Sequence, residues 1–195
     1  MKKLGSILAV VAVVAVVVMW CAGKYNGLVQ AEESVSAQWG MVENAYQRRL
    51  DLIPNLVQTV KGYAQHEEKT LTEVIEARAK ATSVSVDPAN ITPEALEAYQ
   101  NAQNGLSSAL GRLLVVNESY PELKADQMFI ELQAQLEGTE NRIKLERDNY
   151  NKVAQGYNTQ MRQFPTNIVA KVFGFSQKAY FKADEAAAKA PEVAF

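Results

Sequence analysis

Few side chains in this sequence could perform acid–base, nucleophilic or metal chemistry. His66 is the only histidine and Cys21 is the only cysteine, and Cys21 lies within a long apolar run. A zinc-protease helix needs a second histidine, and a di-iron bundle needs two Glu-x-x-His pairs. The glycines stand apart, so no phosphate-binding loop is indicated. We therefore predict no catalytic residue, metal site or cofactor. A hydrolase that uses carboxylates or a serine–lysine pair is a less favoured alternative.

A second set of polar residues stands out by position. One group directly precedes a proline inside a helical pattern, and the other interrupts a helical apolar stripe. Such residues either form interhelical ion pairs and hydrogen-bond networks that fix helix register, or they form an interaction site. We favour the structural interpretation and keep the other open. The first group is Arg48, Arg49 and Asp51, which precede Pro54, and the second is Glu140 and Arg147. We treat these six residues as the candidate structural or interaction site.

The elements that position these residues begin with an apolar segment. Lys2 and Lys3 precede the uncharged run Leu4–Gly23, which as a helix would be about 30 Å long, enough to span a bilayer. A cleaved signal usually has a shorter apolar region. A lipoprotein signal requires a small residue where Trp20 precedes Cys21. We therefore predict an uncleaved transmembrane anchor.

The residues at the far end of this run indicate where the span ends. Trp20, Lys24 and Tyr25 form an aromatic and cationic cluster that suits a membrane interface. More positive charge precedes the run than follows it, since Lys24 is the only cation between the run and Arg48. This asymmetry predicts a cytoplasmic N-terminus and an external domain at a bacterial plasma membrane. A cytoplasmic domain is the alternative.

The rest of the chain has the size and composition of one helical domain. The predicted division is residues 1–24 for the N-terminus and anchor, and residues 25–195 for the domain. The net charge of −2 does not suggest a nucleic-acid partner. Glycine and proline are scarce, at 10 and 6 residues, which favours helices.

Apolar residues predict an amphipathic helix from Leu28 to Ala64, because they recur every three or four positions. The phase continues through Pro54, so we expect a kink rather than a loop. Asp51 or an arginine nearby is expected to satisfy the backbone groups that this proline frees. One very long helix and two pieces joined near His66 both fit the pattern.

Start and stop signals delimit the later helices. Thr92-Pro93-Glu94 is a strong helix start, and that helix should stop near Tyr120. A third long helix is predicted from Asp126 to Arg162. Shorter helices are expected at Ile168–Phe173 and Ser176–Lys189, and the apolar tail Pro191–Phe195 is expected to dock onto the bundle.

Three Tyr-Asn pairs occur at positions 25–26, 150–151 and 157–158. We expect their rings to pack inward while their amides cap or bridge neighbouring elements.

Several segments together resemble the LemA family of bacterial membrane proteins. The most specific is Asp51-Leu52-Ile53-Pro54-Asn55-Leu56. The resemblance implies a single-pass anchor followed by an antiparallel, up-and-down bundle of four long helices, and it implies no activity or cofactor. Genes of this family often lie beside those of membrane proteases, an association with envelope proteins. The other matching segments are 25–29, Trp39, 48–50, 60–64, 117–124, 136–141, 147–151, 164–165 and 174–175.

These observations predict a membrane-anchored scaffold or protein-interaction module that self-associates and has no catalytic activity. Anchoring raises the effective concentration of copies, and Val193 and Phe195 offer apolar contacts. Membrane proteases or other envelope proteins are further expected partners. A lipid- or hydrophobe-binding module that opens near Pro54 is the main alternative.

Overall fold

The computed structural model describes residues 2–64 and 66–182, with side chains from Ile7 onward. Within these residues the regular structure is helical and no strand occurs, which confirms the predicted all-α class. A 3₁₀ turn, Val116–Ser119, lies between the third and fourth helices. The helices are α1 (Lys2–Tyr63), α2 (Glu68–Ser83), α3 (Pro93–Val115), α4 (Pro121–Lys124), α5 (Gln127–Arg162) and α6 (Thr166–Phe173).

The first helix, α1, is continuous over 62 residues. It passes through Pro54 without ending, and a short break around His66 separates it from α2. Its large apolar side chains from Ile7 to Trp20 are 40–66 % exposed, as expected for a helix that faces lipid rather than protein. α1 is therefore both a candidate membrane span and the first helix of the bundle.

Four helices form an antiparallel, up-and-down bundle. α5 packs along α1 and runs in the opposite direction, because Arg49 pairs with Glu140 while Tyr63 pairs with Asp126. α2 packs along α3, and both cover the half of α1 that is remote from the apolar run. This arrangement agrees with the predicted bundle.

Local capping residues explain where α3 and α5 begin. The Thr92 hydroxyl accepts a hydrogen bond from the backbone N–H of Ala95 at 3.2 Å. The Asp126 carboxylate accepts one from the N–H of Phe129 at 2.8 Å. Each bond satisfies an N–H that has no partner within its helix. Both predicted starts are confirmed.

The core consists of two apolar clusters stacked along the bundle. One extends from Leu28 to Tyr46 on α1, and the other begins at Leu50 and continues to the remote end. Arg49 lies between them and is only 2 % exposed. A charged side chain therefore marks the boundary between the two clusters.

The predicted helix at Ser176–Lys189 is wrong over its described part. After Gly174, which adopts φ 77°, residues 175–182 are extended and lie against the bundle. Hydrogen bonds from side chains of α5 replace those that a helix would provide. Residues 183–189 and the apolar tail Pro191–Phe195 lie outside the described residues.

Candidate functional site

Arg49 is the centre of a buried hydrogen-bond network between α1, α3 and α5. Its Nη1 donates to Ser107 Oγ at 2.6 Å and to Glu140 Oε2 at 2.9 Å. Its Nη2 donates to the Gln103 side-chain oxygen at 2.7 Å and to the Gln103 carbonyl at 3.2 Å. The guanidinium also lies 5.2 Å from the centre of the Tyr46 ring. One side chain thus fixes the relative positions of three helices.

The neighbours of Arg49 in sequence have different surroundings. Arg48 is exposed and donates to Gln135 at 3.2 Å, and the exposed Asp51 accepts from Gln47 at 2.7 Å. The structure therefore brings Arg49 and Glu140 together but leaves Arg48 and Asp51 on the surface.

The carbonyl oxygen that Pro54 leaves without its helical donor belongs to Leu50. Arg78 of α2 donates to it from Nε at 3.1 Å. An arginine therefore fills this role, as expected, but it is Arg78 rather than a residue beside Pro54 in sequence, and the expectation for Asp51 is wrong. A carbonyl needs a donor, which a carboxylate is not, and the arginine comes from another helix.

The buried polar residues of α5 lie one position before the predicted ones. Thr139 and Glu146 are buried, whereas Glu140 is 56 % exposed and Arg147 is half-buried. The buried stripe steps by three residues from positions 136 and 143, instead of by four. Glu146 accepts from Gln38 at 2.6 Å and from Arg142 at 2.7 Å.

The C-terminal segment, which we define as residues 175–182, is bound by two asparagines of α5. Asn158 donates to the carbonyl of Lys178 at 2.9 Å and accepts from its N–H at 3.0 Å. Asn151 makes the same two bonds with Phe181, at 3.0 and 2.8 Å. Each amide therefore makes the pair of backbone hydrogen bonds that a residue of a neighbouring β-strand would make.

The tyrosines that precede these asparagines repeat the pattern. Tyr157 donates to the carbonyl of Ser176 at 2.9 Å, and Tyr150 donates to that of Ala179 at 3.0 Å. Seven residues of helix rise about 10.5 Å, and three residues of extended chain span about 10 Å. The repeated Tyr-Asn pairs therefore match a three-residue repeat in the C-terminal segment.

Lys178 anchors this segment through a fully buried side chain. Its Nζ donates to Glu32 of α1 at 2.7 Å and to the carbonyl of Ala89 in the α2–α3 connection. Burial of a lysine is rare without such a partner. The ion pair joins residues separated by 146 positions in sequence.

Phe181 provides the apolar anchor of the segment. Its ring stacks on Trp39 at 5.8 Å and contacts the Tyr150 ring at 5.4 Å. The Arg147 guanidinium lies 4.9 Å from the Phe181 ring and donates to the carbonyl of Lys182 at 2.9 Å. Arg147 therefore holds the C-terminal segment against α5.

Burial changes the acidity of the tyrosines in this region. Desolvation, with a smaller effect from Glu32, raises the pKa of Tyr157 to about 12. Burial likewise raises the pKa of Tyr150 and of Tyr99 above the ordinary tyrosine value. These hydroxyls stay protonated near neutral pH and act as hydrogen-bond donors or neutral core groups.

The predicted membrane-interface residues lie where the apolar run meets the bundle. Trp20 is exposed, Lys24 is half-buried, and the Tyr25 ring contacts Phe173 at 4.8 Å and Phe175 at 5.6 Å. The C-terminal segment and α6 therefore meet α1 directly beyond the candidate span.

Several clefts between the described residues open to the surface. One of about 430 Å³ lies between α3 and α5 beside Arg49, with Leu110, Leu114 and Leu136 in its walls. Within residues 2–64 and 66–182, no group of three or more His, Cys, Asp or Glu side chains is arranged to hold a metal ion. His66 is exposed at the break between α1 and α2.

Sequence reasoning missed Lys178, Glu32 and Arg78, because each acts on an element distant in the chain. The seven-residue repeat of the Tyr-Asn pairs was the available signal for the bound segment.

Comparison with known proteins covers most of the chain. Residues 38–195 match the model of the LemA family. The chain is 28 % identical over 194 residues to magnetosome protein MamQ 2 of Paramagnetospirillum magneticum, covering 91 % of this chain and 70 % of that one. It is 26 % identical over 163 residues to protein LemA of Metamycoplasma hominis, covering 84 % and 71 % of the two chains. Magnetosome protein MamQ of Magnetospirillum gryphiswaldense is 26 % identical over 193 residues, covering 90 % and 70 %.

Proposed function

The chain belongs to the LemA family, and we propose that this membrane-associated helical protein is a non-catalytic scaffold that holds partner proteins, including further copies of itself, at a distance from a bacterial membrane. The observation that carries the proposal is the continuity of α1 from the candidate span to Tyr63. Residues 24–63 rise about 60 Å as one helix, which is longer than a compact domain requires.

The packing along α1 supports a rigid spacer. α5 packs against the part of α1 that lies in the bundle. Within this part, Arg49 of α1 forms hydrogen bonds to both α3 and α5. Exposed apolar side chains at the remote end, among them Val115 and Met128, offer contact surface for partners. The membrane-associated proteases predicted from the family resemblance are candidate partners.

Self-association is the first part of the proposal to test. Mass photometry of the detergent-extracted full-length protein, compared with a version lacking residues 1–24, measures the number of copies per particle. Larger particles of both versions support contacts within the bundle. If only the anchored version is larger, the contacts involve the span. A single monomer mass for both contradicts scaffolding through self-assembly and leaves only tethering of other proteins.

The proposed orientation places the N-terminus in the cytoplasm and the bundle outside, following the charges that flank the apolar run. A cysteine introduced in place of the exposed His66 reports on this. We expect it to react with a membrane-impermeant maleimide in intact spheroplasts. Reaction only after lysis would place the bundle in the cytoplasm.

Binding of a lipid or another hydrophobic molecule is the second candidate function. The cleft beside Arg49 favours it, because leucines from α3 and α5 form part of its walls. Mass spectrometry of the organic extract of the purified protein tests this idea. A lipid that copurifies with the native protein, but not with a Leu136→Gln variant, would support it. The hydrolase alternative has no comparable support.

A further inference from the structure

The outer face of α6 is apolar although no part of the described chain covers it. Phe164 is 81 % exposed and Val172 is 73 % exposed, and Ile168 and Phe173 are also exposed. Ile168 and Val172 lie four residues apart on α6, so their side chains share one side of the helix, and Phe164 lies in the turn that precedes α6. The opposite side, with Val169 and Ala170, is already buried in the core. A helix exposed to water would be expected to have a polar outer face.

This face lies level with the end of the candidate span. Phe173 contacts Tyr25, two residues beyond the apolar run, and Cys21 packs against the core cluster that also includes residues of α6. On α5, near its C-terminal end, Gln160 lies beside Gly27 of α1. Because α5 runs antiparallel to α1 and ends at Arg162, its last residues lie near the level of Tyr25 to Gly27, and Phe164 follows two residues later in the turn before α6.

When Leu4–Gly23 lies in the hydrocarbon, the bilayer extends as far as this surface. The headgroup layer extends roughly 5–8 Å beyond the hydrocarbon on each side, which is about three to five residues of helix. Residues at the level of Gly23 and Tyr25 fall within this layer when Leu4–Gly23 spans the hydrocarbon. Apolar and aromatic side chains are favoured there when cations lie beside them, and Arg162 and Lys171 are exposed next to the apolar face.

We propose that Phe164, Ile168, Val172 and Phe173 form a second membrane-contact site, inserted into the boundary between headgroups and acyl chains of the bilayer that holds α1. The occupant is phospholipid, because the surface is continuous with the span. This site would fix the rotation of α1 about its axis and the angle of the bundle to the membrane. The proposal depends on the anchor but not on self-association.

The test uses the full-length protein in lipid nanodiscs that contain one copy each. In a Cys21→Ala background, Val172→Cys is labelled with an environment-sensitive fluorophore. The discs contain phosphatidylcholine and phosphatidylglycerol, and the phosphatidylcholine is either ordinary or brominated near the top of its acyl chains. Two matched labels are Met19→Cys within the span and Met128→Cys, which is exposed at the remote end of the bundle.

We expect brominated lipid to reduce the emission at position 172 by about half or more, and to leave that at position 128 unchanged. Equal emission at position 172 in both lipids, with quenching at position 19, would overturn the proposal while leaving the anchor intact. Quenching at neither position would overturn the anchor and the proposal together. Discs with two copies test the alternative occupant. If the position-172 label is shielded only in these discs, a second copy rather than lipid covers the face, and the proposal is wrong.

Discussion

Arg78 Nε donates to the carbonyl oxygen of Leu50 at 3.1 Å, which joins α2 to the part of α1 that lies in the bundle. In an unmodified helix this carbonyl would accept from the N–H of residue 54, but Pro54 has none. The proline therefore creates an acceptor on the side of α1 and α2 supplies its donor. A local defect in one helix becomes a specific contact between two.

Replacing Arg78 should lower the free energy of unfolding more in the native protein than in a variant that lacks Pro54. We expect Arg78→Ala to lower the free energy of unfolding by about 1–2 kcal/mol, because the Leu50 carbonyl loses its donor. In a Pro54→Ala background the loss should be smaller, since residue 54 then donates. Urea unfolding of the four proteins in detergent gives the coupling energy. Equal losses in both backgrounds would contradict this account. Arg112→Ala, which removes an exposed ion pair with Glu73, is the control and should change little.

The two asparagines of α5 should each protect a different part of the C-terminal segment. Asn158→Ala removes the bonds to both backbone groups of Lys178, and Asn151→Ala removes those to Phe181. We expect each substitution to lower the free energy of unfolding by about 1–3 kcal/mol. Amide hydrogen exchange should accelerate most at the residue whose backbone the replaced asparagine bound. Asn141→Ala, at an exposed position on the same helix, is the control. Unchanged exchange at positions 178 and 181 would be evidence against the assigned bonds.

The buried ion pair should respond unequally to loss of its two members. Glu32→Ala leaves the buried Lys178 ammonium without a counter-ion, with the Ala89 carbonyl and the Tyr157 ring as its neighbours, and we expect it to destabilise the protein by about 3 kcal/mol. Lys178→Met leaves Glu32 partly exposed, where water can solvate the carboxylate, so the loss should be smaller. Thermal unfolding at neutral pH compares the variants. The reverse order would mean that the ion pair is not the main role of Lys178.

Stability should fall at alkaline pH partly because of Tyr157. Its pKa rises from 10.0 to about 12 in the folded protein, mainly through burial. The unfolded chain loses this proton first, so the stabilisation is complete below pH 10 and disappears as the pH rises towards about 12. Tyr157→Phe removes the titrating group, and its Tm should therefore decline less across this range. A decline parallel to that of the native protein would refute the assignment.

Helix ends were predictable where a single neighbouring residue determines them. Thr92 and Asp126 cap the helices that follow, and the residues that form those bonds lie three positions away. The Tyr-Asn pairs at 150–151 and 157–158 were also correctly expected to turn rings inward and amides towards neighbours. Such features depend on short stretches of chain, which a sequence displays directly.

The C-terminal segment could not be predicted in the same way. Ser176–Lys189 is rich in alanine and lysine, which favour helix. The described part is extended because Asn151 and Asn158 supply its hydrogen bonds and Glu32 pairs with Lys178. Helix propensity is a weak preference that such tertiary contacts override. Whether Thr139 or Glu140 is the buried residue likewise depends on how α5 packs against its neighbours.

Because α1 is unbroken, a change in the tilt of its N-terminal part would also move the remote end of the bundle. Because the candidate span and the first helix of the bundle are one continuous helix, the bundle would not change its angle independently of a span held in lipid. Helices tilt when the hydrocarbon layer becomes thinner than their apolar segment. Over about 60 Å, a tilt of roughly 10° would move the remote end sideways by about 10 Å. Changes in bilayer thickness would thereby become lateral displacements at the tip.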